Sequence, residues 1–270
     1  MAKNDNQPDW HAIAEKFDLW LPQIKPVGDA LINKLDAKAG DYIVDLASGT
    51  GEPALTLART MGNDINIVGV DAAQGMVDVA QSKVAKEGLN NISFQAMPAE
   101  KLSFDDNQFD KALCRFGVML FDDPQAGVNE MYRVLKPGGE FAIAVWGEAE
   151  NMPVMYWSYE VFKDKVPEEF YPPLKKVTSM GAPGAIDTIL DNAGFSEINV
   201  ECHTFHYQFD NFNDYWDVVE ASDIMKMQFD ALKNSDRKAV KNEVAQFASE
   251  YVGESGLKVP HDFLLAYGKK

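Results

Sequence analysis

The spacing of apolar residues changes along the chain, and the changes divide it. Between residues 8 and 37, Trp10, Ile13, Phe17 and Trp20 recur at helical intervals. Pro22 and Pro26 are expected to split that stretch into two short helices. From residue 41 the pattern switches to short, nearly continuous apolar runs. Residues 41–47 (DYIVDLA), 65–71 (INIVGVD), 92–96, 109–116 and 141–146 (FAIAVW) read as strands. Residues 52–61, a segment ending near Gly88, and residues 124–135 read as the helices between them. Lys136-Pro137-Gly138-Gly139 stops the last of these. Strands that are apolar throughout, alternating with helices, imply a mostly parallel α/β sheet covered on both faces.

After residue 146 the pattern loosens. Residues 147–180 carry aromatics and prolines without a clean period and read as an irregular cover. Residues 182–192 form a helix closed by Gly194, residues 198–209 a long strand, and residues 263–267 a final one. Residues 212–252 look helical, an insertion before that last strand. The whole reads as a single domain, 1–270, of seven strands.

Composition narrows the partners. A net charge of −17 argues against nucleic acid, whose phosphates need clustered Lys and Arg. The tightest basic pairs, Lys175-Lys176 and Lys269-Lys270, are isolated. The acidity fits solubility or a saline cytoplasm. No apolar run reaches the ~18 residues of a membrane span. The polar start MAKNDNQPDW lacks the apolar core of a signal peptide, so a cytoplasmic protein is expected. Cys114 and Cys202 read as buried thiols.

The chemistry concentrates in Asp45-Leu46-Ala47-Ser48-Gly49-Thr50-Gly51, at the end of the first strand. Glycines there let the backbone turn sharply and approach a ligand. The second strand ends in Asp71, where an acid can accept hydrogen bonds from both hydroxyls of a ribose. Two cofactor classes use such a turn. Gly49 to Ala54 also fits the dinucleotide pattern G-x-G-x-x-A, which keeps an NAD(P)-dependent oxidoreductase open. Asp45 favours S-adenosylmethionine (SAM), because it can hold the ammonium of an amino-acid end. The Tyr-x-x-x-Lys spacing of many nicotinamide enzymes occurs three times here, at Tyr132, Tyr159 and Tyr171, and so discriminates little.

With these motifs in order, the chain resembles the class I SAM-dependent methyltransferases. It is most similar to the small-molecule group that includes the ubiquinone/menaquinone C-methyltransferases. The matching stretches are VDLASGTGEPALTLA, VGVDAAQGMVDVA, AMPAEKLSFDDNQFD, CRFGVMLFDDP and EMYRVLKPGGEFAIAVW, within residues 41–146. The resemblance implies a Rossmann-like fold whose last strand is antiparallel, with a helical cap over 1–40 and a SAM-binding core over 41–146. It implies that Asp45, Ala47, Gly49 and Gly51 line the methionine and ribose portions of SAM. Asp71 would take the ribose hydroxyls, Ala72 and Met76 would lie against the adenine, and Ala99 and Glu100, following Pro98, would meet its amino group. Arg115 and Phe116 would floor the pocket near the sulfonium. Ala47 stands where the family usually has a glycine, tolerable if its φ is negative; Pro98 stands where an Asp often contacts adenine.

Other residues carry less. His203 and His206 have an odd spacing that puts them on opposite strand faces, so no metal site is expected. Trp10, Phe17 and Trp20, and Tyr156 and Trp157, are candidates for contact with the substrate, against a plain packing role. Methyl transfer needs chiefly proximity and orientation, and no general base stands out. The acceptor is expected to be a small molecule, apolar or aromatic, covered by residues 147–180 and 212–252. A SAM-binding protein without turnover is the remaining alternative.

Overall fold

The computed structural model describes residues 7–270. Its strands are β1 (Tyr42–Leu46), β2 (Asn66–Asp71), β3 (Ile92–Ala96), β4 (Phe109–Arg115), β5 (Leu135–Trp146), β6 (Ser196–Phe209), β7 (Val252–Gly253) and β8 (Gly256–Lys269). The helices are α1 (Ala14–Phe17), α2 (Leu21–Leu35), α3 (Ala54–Met61), α4 (Gln74–Glu87), α5 (Pro124–Val134), α6 (Pro153–Phe162), α7 (Leu174–Val177), α8 (Ala185–Ala193), α9 (Phe212–Ala221), α10 (Lys226–Ala231) and α11 (Arg237–Ala248). The sheet runs β3-β2-β1-β4-β5-β8-β6, and the two-residue β7 forms a hairpin with β8. Neighbours β3 to β5 are parallel, while β8 is antiparallel to both β5 and β6. The Rossmann-like expectation therefore holds, with β7 added. Strand order reverses beside β1, so the carboxyl ends of β1, β2 and β4 surround one crevice, the place where open α/β sheets take ligands.

The apolar runs do what their composition dictates. Ile43, Val44 and Leu46 of β1 and Ala112, Leu113 and Cys114 of β4 are almost wholly buried, covered on both faces. Helix α2 lies against β4, β5, β6 and β8, and α4 against β2 and β3. Helices α5 and α8 pack on each other, and α8 also meets β6. No helix among the described residues is long and apolar enough to cross a membrane.

Several expectations are corrected. Cys114 is buried in β4, but Cys202 is exposed on β6. Pro22 and Pro26 do not divide α2. Pro22 sits in the first turn, where a missing N–H is harmless, and Pro26 is carried inside the helix. The loss of one bond there is outweighed by a continuous buried stripe of Ile24, Val27, Leu31 and Leu35. Residues 153–162, expected to be irregular, form α6. That helix buries Val154, Trp157, Val161 and Phe162 and so is apolar on more than one side, which hides the helical period. Strand β8 begins at Gly256, well before residue 263, because Pro260, His261 and Asp262 interrupt its apolar pattern.

One of those residues is a polar group of the core. His261 is 0% exposed. Its Nε2 accepts the Val154 N–H at the start of α6 (3.3 Å), and its Nδ1 faces the Val259 carbonyl at the same distance. Its ring lies 4.4 Å from that of Tyr207. Burial pushes its pKa down to about 3.

The backbone at the end of β1 also departs from expectation. Ala47 has φ +53°, in the left-handed region rather than at a negative angle. A side chain there is strained, and the methyl fits only because residue 117 is glycine: a Cβ at Gly117 would lie 2.5 Å from that of Ala47.

Two predictions follow from these positions. Replacing Ala47 by Gly relieves the left-handed strain and costs some unfolded-state entropy, for an expected net gain of roughly 0.5–1 kcal/mol; denaturant unfolding that shows a loss would contradict the assignment of strain. His261 stays neutral in the folded state down to about pH 3, whereas an unfolded histidine takes a proton near pH ~6.5. Below pH ~6.5 the unfolded chain thus binds the extra proton, and stability falls as pH is lowered, by up to ~1.4 kcal/mol per pH unit from this residue. The His261→Gln variant should show a shallower decline between pH 6.5 and 5, and identical slopes would refute the claim.

Candidate active site

The crevice is built from the loop after β1. Ala47, Gly49 and Gly51 all have positive φ (+53°, +53° and +106°), which folds the chain back on itself within a few residues. The Ser48 N–H donates to the Val70 carbonyl (2.9 Å) and the Gly51 N–H to the Ser48 carbonyl (2.9 Å). Asp71, at the end of β2, pins the loop: its Oδ2 accepts the Gly49 N–H and its Oδ1 the Ala73 N–H, each at 2.9 Å. Burial raises the Asp71 pKa, and these two N–H bonds oppose the rise.

Asp45 lies beneath this loop, 1% exposed, and neither carboxylate oxygen has a hydrogen-bond partner among the described residues. Burial raises its pKa well above the usual carboxylate range, against the pull of Arg115. Gly51 serves the packing rather than the crevice wall. A Cβ there would lie 2.6 Å from Leu55 Cδ1 and 3.1 Å from Phe94.

Above the loop is a cavity of about 490 Å³. Of the residues marked from the sequence, Ala47, Gly49, Asp71, Ala72, Met76, Ala99, Glu100, Arg115 and Phe116 line it, as does Pro98. Asp45 and Gly51 are not in the wall. Glu100 accepts the Asp122 N–H through Oε1 (2.7 Å), tying the loop after β3 to that after β4. Phe116, itself at φ +58°, stacks on Trp146 with centroids 3.4 Å apart and planes at 12°. Glu52, Asp71, Glu100 and Asp122 also line the cavity, and Arg115 is its only cationic lining residue among those described. Burial lowers the Arg115 pKa to about 10, with Asp45 and Glu52 opposing.

The amino-terminal arm closes the cavity. Trp10, Phe17 and Trp20 all line it, and Trp10 meets Phe17 edge-on at 6.0 Å. The Trp10 indole donates to Gln7 Oε1 (3.0 Å), and the Gly75 N–H donates to His11 Nδ1 (2.8 Å). A Cβ at Gly75 would sit 2.5 Å from the His11 carbonyl oxygen, so this glycine permits the arm's close approach to α4. Asp18 accepts the Thr50 hydroxyl and pairs with Lys83, both at 2.6 Å, and Lys16 pairs with Asp223 in the connection between α9 and α10.

Tyr156 and Trp157 are a correction. Tyr156 is 42% exposed and Trp157 is buried, stacked parallel to Phe247 and tilted against Tyr251, and neither lines the cavity. Their helix α6 instead contributes Val154, Met155 and Ser158, a different phase of the same turns. Tyr215, one of the aromatics of the 212–252 segment expected to suit an aromatic acceptor, does line the cavity, whereas Trp146, Tyr207 and Gln228 are not marked by sequence reasoning. Trp146 could have been found as the residue ending β5 at the ligand edge; the others offered no local signal. His203 is exposed and bonded to Glu201 (2.9 Å), apart from the cavity.

With this geometry in view, the likenesses to known proteins can be placed. The sequence model of the ubiE/COQ5 methyltransferase family matches residues 18–178, which run from the arm through β1–β5 to α7. The demethylmenaquinone methyltransferase of Bacteroides fragilis is 32% identical over 187 residues, 64% of this chain and 75% of that protein. The solved structure of the YcgJ protein from Bacillus subtilis superposes with a TM-score of 0.62 at 20% identity, covering 91% of this chain and 98% of that one. Phosphoethanolamine N-methyltransferase 2 of Haemonchus contortus, in complex with S-adenosyl-L-methionine, gives 0.58 at 20% identity, covering 91% and 52%. At those identities the two structures establish the shared fold. The family match spans more than half the chain and includes β1 to β5 with the loops of the cofactor edge, so this chain belongs to the ubiE/COQ5 methyltransferase family and is a SAM-dependent methyltransferase of small molecules.

Proposed function

We propose that the cavity holds SAM on the β1–β2 side and a neutral, apolar aromatic acceptor on the β5–β6 side. The observation that carries this reading is the chemical asymmetry of one continuous cavity. Its β1–β2 side is glycine-turned and acidic, while its far side is mainly apolar, with Phe116, Trp146, Val154, Met155, Val177 and Val219 beside the uncharged Tyr207, Tyr215 and Gln228. The acidic wall of Glu52, Asp71, Glu100 and Asp122 supports the fit with a cationic ligand, and the unpaired carboxyl of Asp45 lies buried behind it. Asp71 has lone pairs left after its two N–H bonds and would take the ribose hydroxyls. Ala72, Met76, Ala99 and Glu100 would surround the adenine, and Arg115 would meet the carboxylate end. When bound, SAM supplies a methyl group on positively charged sulfur.

The protein's own contribution is arrangement. Phe116 and Trp146, stacked, form a rigid floor shared by both halves. The described part of the arm, residues 7–40, and the segments 147–180 and 212–252 would cover the acceptor and exclude water. Holding two reactants in line supplies ~7–11 kcal/mol of a barrier without any general base. The aromatic acceptor is supported by the apolar walls and by the quinone named for the relative from Bacteroides fragilis.

Two measurements test the reading. Asp71→Ala removes an acceptor from a largely buried site and should weaken SAM binding by ~1–3 kcal/mol in calorimetry. Unchanged affinity in a folded variant would take Asp71 out of the site. Transfer of a labelled methyl group should occur to neutral hydroxyarenes and two-ring quinols but not to phosphoethanolamine. The opposite preference would overturn the acceptor assignment.

A further inference from the structure

The cavity wall contains three polar side chains that have no hydrogen-bond partner among the described residues. Tyr207, near the end of β6, is 5% exposed; Tyr215 of α9 and Gln228 of α10 are each 2% exposed. All three line the cavity. Among the described residues neither phenol oxygen nor the amide makes a hydrogen bond, and none of these atoms is among those sealed off without a partner, so they open onto the cavity. The three come from different elements, so no single local irregularity accounts for them.

Their scaffolds are fixed. The Tyr207 ring lies 5.7 Å from Trp20 and 4.4 Å from His261, which is itself held by the Val154 N–H. The Tyr215 ring is wedged between Phe209 (5.5 Å) and Trp157 (6.5 Å). Gln228 precedes Phe229, which packs edge-on against both Phe162 and Trp216. Burial raises both phenol pKa values, and the proximity of Tyr207 adds to the rise at Tyr215. Both are therefore neutral O–H groups at physiological pH, suited to hydrogen bonding and not to taking a proton from the acceptor.

We propose that Tyr207, Tyr215 and Gln228 form a polar clasp that selects acceptors bearing an oxygen function, hydroxyl or carbonyl, and sets which ring atom faces the cofactor. The inference rests on the acceptor assignment above and adds its specificity. Two hydroxyls and an amide can each donate or accept, so the clasp reads a neutral oxygen of either kind and carries no charge with which to bind a phosphate or carboxylate. A site built to hydrogen-bond an oxygen discriminates strongly against the analogue that lacks it, because its own groups are then left unpaired.

The test uses the full-length protein saturated with S-adenosylhomocysteine and two probes that differ by one oxygen, 1-naphthol and naphthalene. Tryptophan fluorescence or calorimetry gives both dissociation constants. The unaltered protein should prefer 1-naphthol by at least about tenfold, the equivalent of one strong hydrogen-bonding contact. Tyr207→Phe, Tyr215→Phe and Gln228→Leu should each reduce that preference, and the triple variant should bring it close to unity with naphthalene and S-adenosylhomocysteine affinities kept. Tyr156→Phe, outside the cavity, should leave the ratio alone. Equal affinity of the unaltered protein for both probes, or an unchanged ratio in the variants, overturns the clasp while leaving the apolar acceptor reading intact. Failure of both probes to bind overturns the two together.

Discussion

The two hydrogen bonds accepted by Asp71 join the ends of β1 and β2 into a single ligand-binding edge, and much of the site is arranged around them. Oδ2 takes the Gly49 N–H and Oδ1 the Ala73 N–H, so one carboxylate fixes both the turn after β1 and the start of α4. The turn it holds is strained at Ala47, and a second left-handed side chain, Phe116, stands opposite at the end of β4. Gly117 leaves room for the Ala47 methyl. Strain of this kind persists only where the surroundings over-determine it, and here both strained residues line the cavity. Asp45, sealed below with its oxygens unpaired among the described residues, adds a further cost.

The amino-terminal arm couples the halves of the site. Asp18 links it to Thr50 and Lys83 on the cofactor side, the His11 imidazole caps an N–H of α4, and Lys16 reaches Asp223 in the helical insertion. Exposed ion pairs contribute little to stability. The weight falls on the apolar contacts of Ile13 and Ala14 with Met76, a small cluster separate from the main core. An element held by a few such contacts opens at low cost relative to the sheet. That suits a cover which must admit two molecules and then exclude water.

What could be read in the sequence followed from local rules. The five apolar runs gave β1 to β5 in parallel because burial on both faces leaves no alternation, and the glycine turn with its acid twenty residues later marked the cofactor edge. Period reasoning failed where a helix is buried on two sides: α6 has no single stripe, so Tyr156 and Trp157 were chosen by residue type, while the wall is made by Val154, Met155 and Ser158. Pro26 was misread because propensity yields to a buried face. The φ of Ala47 depends on Gly117, seventy residues away, and the roles of His261, Tyr207, Tyr215 and Gln228 depend on contacts between β6, β8 and the insertion that no local window contains.

The division of labour between strands and insertion has a physical basis in the turn between β6 and α9. Asn211 caps α9, its side-chain oxygen accepting the N–H groups of Asn213 (2.8 Å) and Asp214 (3.2 Å). The cap fixes the angle at which the helix leaves the sheet. Tyr207 lies just before this turn and Tyr215 just after it, and the Phe209 ring, between them in sequence, packs on Tyr215. One short connection thus sets the relative position of two of the three polar groups facing the acceptor. The cofactor edge needs the parallel strands and their glycine turn and tolerates little change. A capped turn at the sheet's far edge can be altered without disturbing that edge, so acceptor chemistry can vary here while cofactor geometry stays constant.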